Sequence, residues 1–305
     1  MNLLDILTPL YLLIGLGFLL NKYQFPNKDF WPGIERMSYF VLFPTLIFVA
    51  LIKAEIDLSL IGIIVLVVLI PSSLSGLLQW LGLLSPKLSS PSFSSMFQGA
   101  VRNNTVVSLV IVAWLLPDTG LAIMSVIILV MVPMNNFLAT FVLLRYGRPS
   151  TAVSASWWKG LVANPLIIAC FLGLSFNILN IDLPRSFINT ADFLGRSALP
   201  FALLAVGAGL KLDSAFKNKF MILFPSISKL LIVPLLSWAL CVLFEVERDV
   251  AMSAIVFGSM PTAVSCYILA KQMGGDAEGM AQIITFQTLM AAFTLPLFLV
   301  LAQQF

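Results

Sequence analysis

The chain has 305 residues, of which 60% are hydrophobic and 10% charged, with a mean hydropathy of +1.02 and a net charge of +3. Soluble domains carry about 25% charged residues, so this composition excludes an ordinary soluble fold and points to a polytopic membrane protein. The three cysteines (Cys170, Cys241, Cys266) lie in apolar runs without CxxC spacing, and there is no histidine, so neither a disulfide framework nor a zinc or histidine-based centre is expected.

A membrane-crossing helix needs about 20 apolar residues. In chain order such runs fall at 3–21, 34–53, 59–82, 94–116, 120–145, 159–180, 193–210, 219–244, 249–271 and 279–302. The first run starts at the N-terminus, where "MNLLDILTPL" lacks the basic region of a signal peptide. Short connectors such as "SPKLSSPS" and "QMGGDAE" carry turn residues. The expectation is an all-α membrane protein of about ten transmembrane helices.

Orientation follows from Lys and Arg in short loops. With the N-terminus outside, inside connections hold Lys22, Lys28, Arg36, Lys87, Arg145, Arg148, Lys159, Lys211, Lys217, Lys219 and Lys271. Outside connections hold only Lys53, Arg185, Arg196 and Arg248. Both termini are therefore expected on the extracytoplasmic side of the cell (inner) membrane.

The two halves repeat. At an offset of 156 residues Pro9 falls on Pro165, Pro44 on Pro200 and Asp57 on Asp213. At 157 Thr105 falls on Thr262 and Ser108 on Ser265, and at 158 Trp80 falls on Trp238. This divides the chain into a first five-helix repeat at 1–146, a connecting loop at 147–158 and a second repeat at 159–305. Five is odd, so the second repeat enters the membrane from the opposite side. Inverted repeats of this kind belong to secondary transporters, whose substrates bind near the midplane at interrupted helices.

Two spans carry such interruptions at corresponding positions. In span 9, "FGSMPTAVSCY" (257–267) contains Gly258, Ser259, Pro261, Thr262 and Ser265. Pro261 has no N–H, so the carbonyl near Phe257 loses its helical partner. The serines and Thr262 can bond freed backbone groups or a ligand. In span 4, "GAVRNNTVVS" (99–108) contains Arg102, Asn103, Asn104, Thr105 and Ser108. Unpaired backbone at this depth is tolerated only inside protein or along a cavity, so both stretches are candidate substrate sites.

Away from span ends the charged residues are Arg102 and Lys229, and Asp and Glu stay at the edges. Intramembrane charges are functional candidates. Cations without acids point to an anionic substrate such as a carboxylate, aided by the positive ends of half-helices at the two breaks. Arg102 can instead reach toward an interface, and Lys229 can instead satisfy carbonyls freed by a broken helix.

"AIVFGSMPTAVSCYILAKQMGGDAEGMAQIITFQTLMAAFTLPL" (254–297) resembles the auxin efflux carrier family, bacterial relatives of the plant PIN-type carriers. So do "KLLIVPL" (229–235), "LPFALLAVGAGLKL" (199–212) and the Arg-Asn-Asn-Thr of span 4. The resemblance implies two inverted five-helix repeats, a scaffold and a transport domain, a crossover of spans 4 and 9, and elevator-like movement of small organic anions. It assigns Asn103, Asn104, Thr105, Pro261 and Thr262 to the crossover. Family members usually follow the Asn motif with Gly-x-Pro, whereas this chain reads "VVSLVIV", so a weaker break or a different substrate is expected in span 4.

The leading expectation is thus a permease for a small organic anion. A sodium-coupled symporter of the bile-acid type shares the architecture but leans on an acidic residue absent here. A receptor without transport stays open, while an enzyme is excluded by the missing histidine and deep carboxylates. The expected partners are a small organic anion and the lipid bilayer, with a homodimer left open and neither nucleic acid nor cofactor.

Overall fold

The structure is a computed structural model and describes residues 3–27, 29–54, 60–85, 88–117, 119–147, 164–210 and 218–305. Most of the connector at 147–158 lies outside these residues, as do Lys28, Asp57, Lys87, Arg148, Lys159, Lys211, Asp213 and Lys217. The described chain is helical throughout, with no strand. Its helices are α1 (Leu3–Lys22), α2 (Phe30–Lys53), α3 (Ile61–Leu84), α4 (Ser90–Val101), α5 (Thr105–Leu115), α6 (Gly120–Tyr146), α7 (Pro165–Ile178), α8 (Arg185–Ala208), α9 (Lys219–Leu243), α10 (Arg248–Gly258), α11 (Ser265–Gln272) and α12 (Ala277–Ala302). Among them α2, α3, α6, α8, α9 and α12 are long and apolar enough to cross a membrane. Shorter apolar helices run over Thr8–Lys22 and Pro165–Ile178. Large apolar side chains such as Leu12, Phe171, Phe193 and Phe293 are more than 60% exposed, as a lipid-facing surface allows and a watery one does not.

Proline shapes three of the long helices. Ser38–Leu42, Val65–Leu69 and Ser228–Ile232 are wide π-turns, and each is followed two residues later by a proline: Pro44, Pro71 and Pro234. A proline ring presses on the carbonyl four residues back and supplies no N–H. Those carbonyls belong to Phe40, Val67 and Leu230, inside the π-turns, and widening the helix relieves the clash. In α8 the helix is interrupted at Ser197, three residues before Pro200.

The chain forms two compact units: one from Met1–Leu60, Val106–Leu129 and Lys159–Leu210, the other from Ile61–Thr105, Val130–Trp158 and Lys211–Phe305. In the first unit, small residues let helices approach backbone to backbone. Gly17 of α1 lies against the Leu204 carbonyl of α8, and Gly207 against the Ile14 carbonyl of α1. Gly173 of α7 sits on Leu51 of α2, and Gly195 of α8 on Leu46. Asn177 donates to the last carbonyls of α2, at 3.0 Å to Leu51 and 2.8 Å to Ala54. Asp192 accepts from Lys53 at 3.4 Å and from Arg196 at 2.8 Å. Lys53 and Arg196 were both expected outside, and they meet at this carboxylate.

The second unit is packed around Phe93, Met96, Phe97, Met221, Met280 and Ile283. Trp80 meets Phe93 and Phe97 edge-on, at centroid distances of 5.6 and 5.2 Å. Asp276 ties the start of α12 to the start of α4. Its carboxylate accepts from Ser92 Oγ at 2.8 Å, its carbonyl accepts from Ser95 Oγ at 3.0 Å, and it caps α12 at Gly279 N at 2.9 Å.

Candidate functional site

Both interrupted stretches are broken, and both breaks lie in the second unit. Residues 102–104 separate α4 from α5, and residues 259–264 separate α10 from α11. Span 4 breaks without a proline, over half the length of the break that contains Pro261. The breaks touch directly, because Asn104 N donates to the Pro261 carbonyl at 2.9 Å.

A break in a buried helix frees carbonyls and N–H groups that must find partners. Asn103 Nδ2 donates to Phe257 O at 2.7 Å. This is the carbonyl four residues before Pro261, the one the proline deprives of its helical donor. At the end of α4, Gln98 O accepts from Arg102 N at 3.0 Å and Thr262 Oγ1 at 3.4 Å. Ala100 O accepts from Ser75 Oγ of α3 at 3.2 Å. Gly99 O accepts from Gln287 Nε2 of α12 at 2.9 Å, and Gln287 Oε1 accepts from Thr262 N, also at 2.9 Å. The break in span 4 is therefore held open by side chains from neighbouring helices, which supply what a proline would otherwise enforce.

The remaining sequence-predicted residues divide. Thr262 Oγ1 also lies 3.6 Å from Cys266 Sγ. Arg102 is half-buried, and its Nη2 donates to Ser265 Oγ at 3.3 Å, across the two breaks. Ser259 turns back on its own helix, donating to Ile255 O at 2.7 Å, and is spent on capping α10. Thr105 begins α5, its N–H bonded to Asn103 O at 3.1 Å. Ser108 is buried further along α5, in a stretch that belongs to the first unit. α11 starts directly after its break, as does α5, so each break is followed by a helix N-terminus.

Lys229 sits in the π-turn of α9 and is fully buried. Its Nζ has no hydrogen-bond partner among the described residues, so it does not satisfy freed carbonyls. Next to it, Ser228 joins a polar cluster: Gln79 Nε2 donates to Ser228 Oγ at 2.9 Å, and Ser75 Oγ lies 3.1 Å from Ser228 Oγ. Gln98 is fully buried with both amide atoms unpartnered among the described residues, and Arg102 Nη1 is likewise buried and without a partner among them. An unpaired buried polar group costs about 1–3 kcal/mol, and more when charged. The second unit thus concentrates buried polar side chains that lack partners among the described residues.

Sequence reading missed Gln287, Ser75, Gln79 and Gln98. Each is an uncharged polar residue in a largely apolar span, a signal present in the sequence but weaker than a proline or a charge.

A family sequence profile described as membrane transport protein matches residues 3–299. A protein of Rhizobium meliloti (strain 1021) described as "Putative malonate transporter" is 26% identical over 132 residues. The match spans 43% of this chain and 41% of that protein, well under half of each.

Proposed function

Because the chain belongs to the membrane transport protein family, and is a transport protein rather than an enzyme, we propose that it is a secondary carrier of a small organic anion, a carboxylate. The observation that carries this reading is Lys229, a fully buried lysine whose Nζ has no hydrogen-bond partner among the described residues. Burying an uncompensated charge costs several kcal/mol, and a substrate carboxylate is the counter-charge that removes the cost. Arg102, whose buried Nη1 at the paired breaks has no partner among the described residues, supports the same polarity. The malonate named for the Rhizobium meliloti relative is an anion of this class.

The mechanism we infer is alternating access of the elevator kind, with the second unit as the transport body and the first as the scaffold. Three observations support this reading. Each unit draws on both halves of the chain. The broken helices α4–α5 and α10–α11 occupy corresponding places in the two halves. The two breaks are stitched to each other inside one unit. Ten membrane crossings in two inverted repeats, 1–146 and 159–305, accommodate this arrangement.

The test is uptake by proteoliposomes of labelled malonate and other mono- and dicarboxylates, under imposed pH and sodium gradients. Carboxylate flux is expected. For Lys229→Gln the half-saturating concentration should rise about tenfold or more, the loss of one charge-assisted hydrogen bond. Folded protein without flux of any carboxylate would refute the carrier reading. Unchanged affinity in Lys229→Gln would remove Lys229 from the site.

A further inference from the structure

We propose that Gln287, which does not belong to either broken span, is the positioning residue that sets the geometry of both breaks at once. The inference rests on the carrier reading above for its functional consequence, and on geometry alone for its structural one.

Gln287 lies in the middle of α12 and is fully buried. Its amide is used from both ends. Nε2 donates to Gly99 O, a carbonyl freed where α4 stops, at 2.9 Å. Oε1 accepts from Thr262 N, an N–H freed just after Pro261, at 2.9 Å. One planar group therefore fixes the distance and angle between the end of α4 and the break of α10–α11. An amide suits the place because it offers a donor and an acceptor side by side.

Neighbouring contacts give this bridge its leverage. Residue 98, directly before Gly99, is the glutamine whose buried amide has no partner among the described residues. Thr262, whose N–H Gln287 holds, turns its hydroxyl to the Gln98 carbonyl at 3.4 Å and lies 3.6 Å from Cys266 Sγ. Beside Gly99, on the opposite side from Gln98, Ala100 O is held by Ser75. The α4 half-helix is thereby pinned to α12 twice: at its start by Asp276 through Ser92 and Ser95, and at its end by Gln287. With these ties α4, α12 and the second break move as one body. Gln287 does not touch the proposed anion; it aligns the groups that do.

A carboxylic acid at this position tests the assignment. In its protonated form it carries the donor and acceptor of the amide, whereas the carboxylate has acceptors only. It would then oppose the Gly99 carbonyl. The comparison is wild type, Gln287→Glu and Gln287→Leu in proteoliposomes with labelled malonate as probe, at about pH 5 and about pH 8, each normalised to wild type at the same pH. Gln287→Glu is expected to approach wild-type flux at the lower pH and to lose roughly tenfold at the higher one; Gln287→Leu should be low at both. A second arm needs no substrate: amide hydrogen exchange of the 259–264 segment in purified protein, corrected for intrinsic rates. It should rise in Gln287→Leu and, for Gln287→Glu, rise only at the higher pH.

Absence of malonate flux in wild type would count against the proposed substrate, while the exchange arm would still decide the role of Gln287. Wild-type exchange in Gln287→Leu would overturn the proposal. So would a Gln287→Glu defect equal at both pH values. Should Gln287→Leu fail to fold, the pH contrast of Gln287→Glu alone carries the decision.

Discussion

At the scale of single residues, Asn103 is spent on the backbone of the neighbouring break. The spacing made it a candidate substrate ligand. In the structure its Nδ2 is committed to Phe257 O at 2.7 Å, and Asn135 Nδ2 lies 3.5 Å from its Oδ1. Asn103 therefore closes the gap that Pro261 opens one helix away. Asn103→Ala leaves a buried carbonyl short of its strongest donor, so stability should fall by about 1–3 kcal/mol. Flux should fall with it, because Asn104 N, which joins the breaks, is the next residue. Thermal unfolding of the purified variant alongside malonate flux checks both. Wild-type values for both would remove Asn103 from the crossover. The sequence disclosed the type and place of this residue, since two asparagines in an apolar run are costly. It did not disclose the partner, because hydrogen bonds across 154 residues depend on packing that local spacing does not carry.

At the scale of elements, the instructive case is the missing proline of span 4. A proline was the legible signal, and its absence predicted a weaker break. The break is indeed the shorter of the two, three residues against six, yet it is complete. Ser75 and Gln287 hold the Ala100 and Gly99 carbonyls that would otherwise continue the helix, while Thr262 adds a second donor to Gln98 O. Helix ends set by such long-range partners are the least legible in sequence, whereas π-turns follow local proline sterics and could have been read from Pro44, Pro71 and Pro234. A double variant separates the local cause from the long-range one. In Asn103→Ala, Phe257 O is underpaired; adding Pro261→Ala restores an N–H four residues on, which can resume the helical bond. Pro261→Ala should therefore recover much of the stability lost in Asn103→Ala, a coupling of about 1–2 kcal/mol. Flux should not recover, because a healed helix is no longer a break. Additive stability losses in the double variant would show that Asn103 does not compensate for the proline.

At the scale of the whole molecule, composition alone indicated the class, and apolar runs placed most described helices to within a few residues, although α8 begins at Arg185, eight residues before the run at 193–210. The division into two units was not legible, because each unit is assembled from segments far apart in the chain. Sidedness can be argued further, since the positive-inside count and the contacts agree. Lys53 and Arg196, both counted outside, share Asp192. The loops before α4 and before α12, both counted inside, meet at Asp276. Cysteine labelling turns this into a measurement, because Cys170, Cys241 and Cys266 are all buried and contribute little background. Arg248 and Gln304 are exposed and placed outside; Lys22 and Lys271 are exposed and placed inside. In intact cells Arg248→Cys and Gln304→Cys should react with a membrane-impermeant maleimide. Lys22→Cys and Lys271→Cys should react only after permeabilisation. Labelling of the two pairs from opposite sides follows from an odd number of crossings between Lys22 and Arg248 and again between Lys271 and Gln304. That parity is what two inverted five-helix repeats require. If Lys22→Cys and Arg248→Cys reacted from the same side, the inverted repeat would fail, and with it the placement of both breaks at one depth in the membrane.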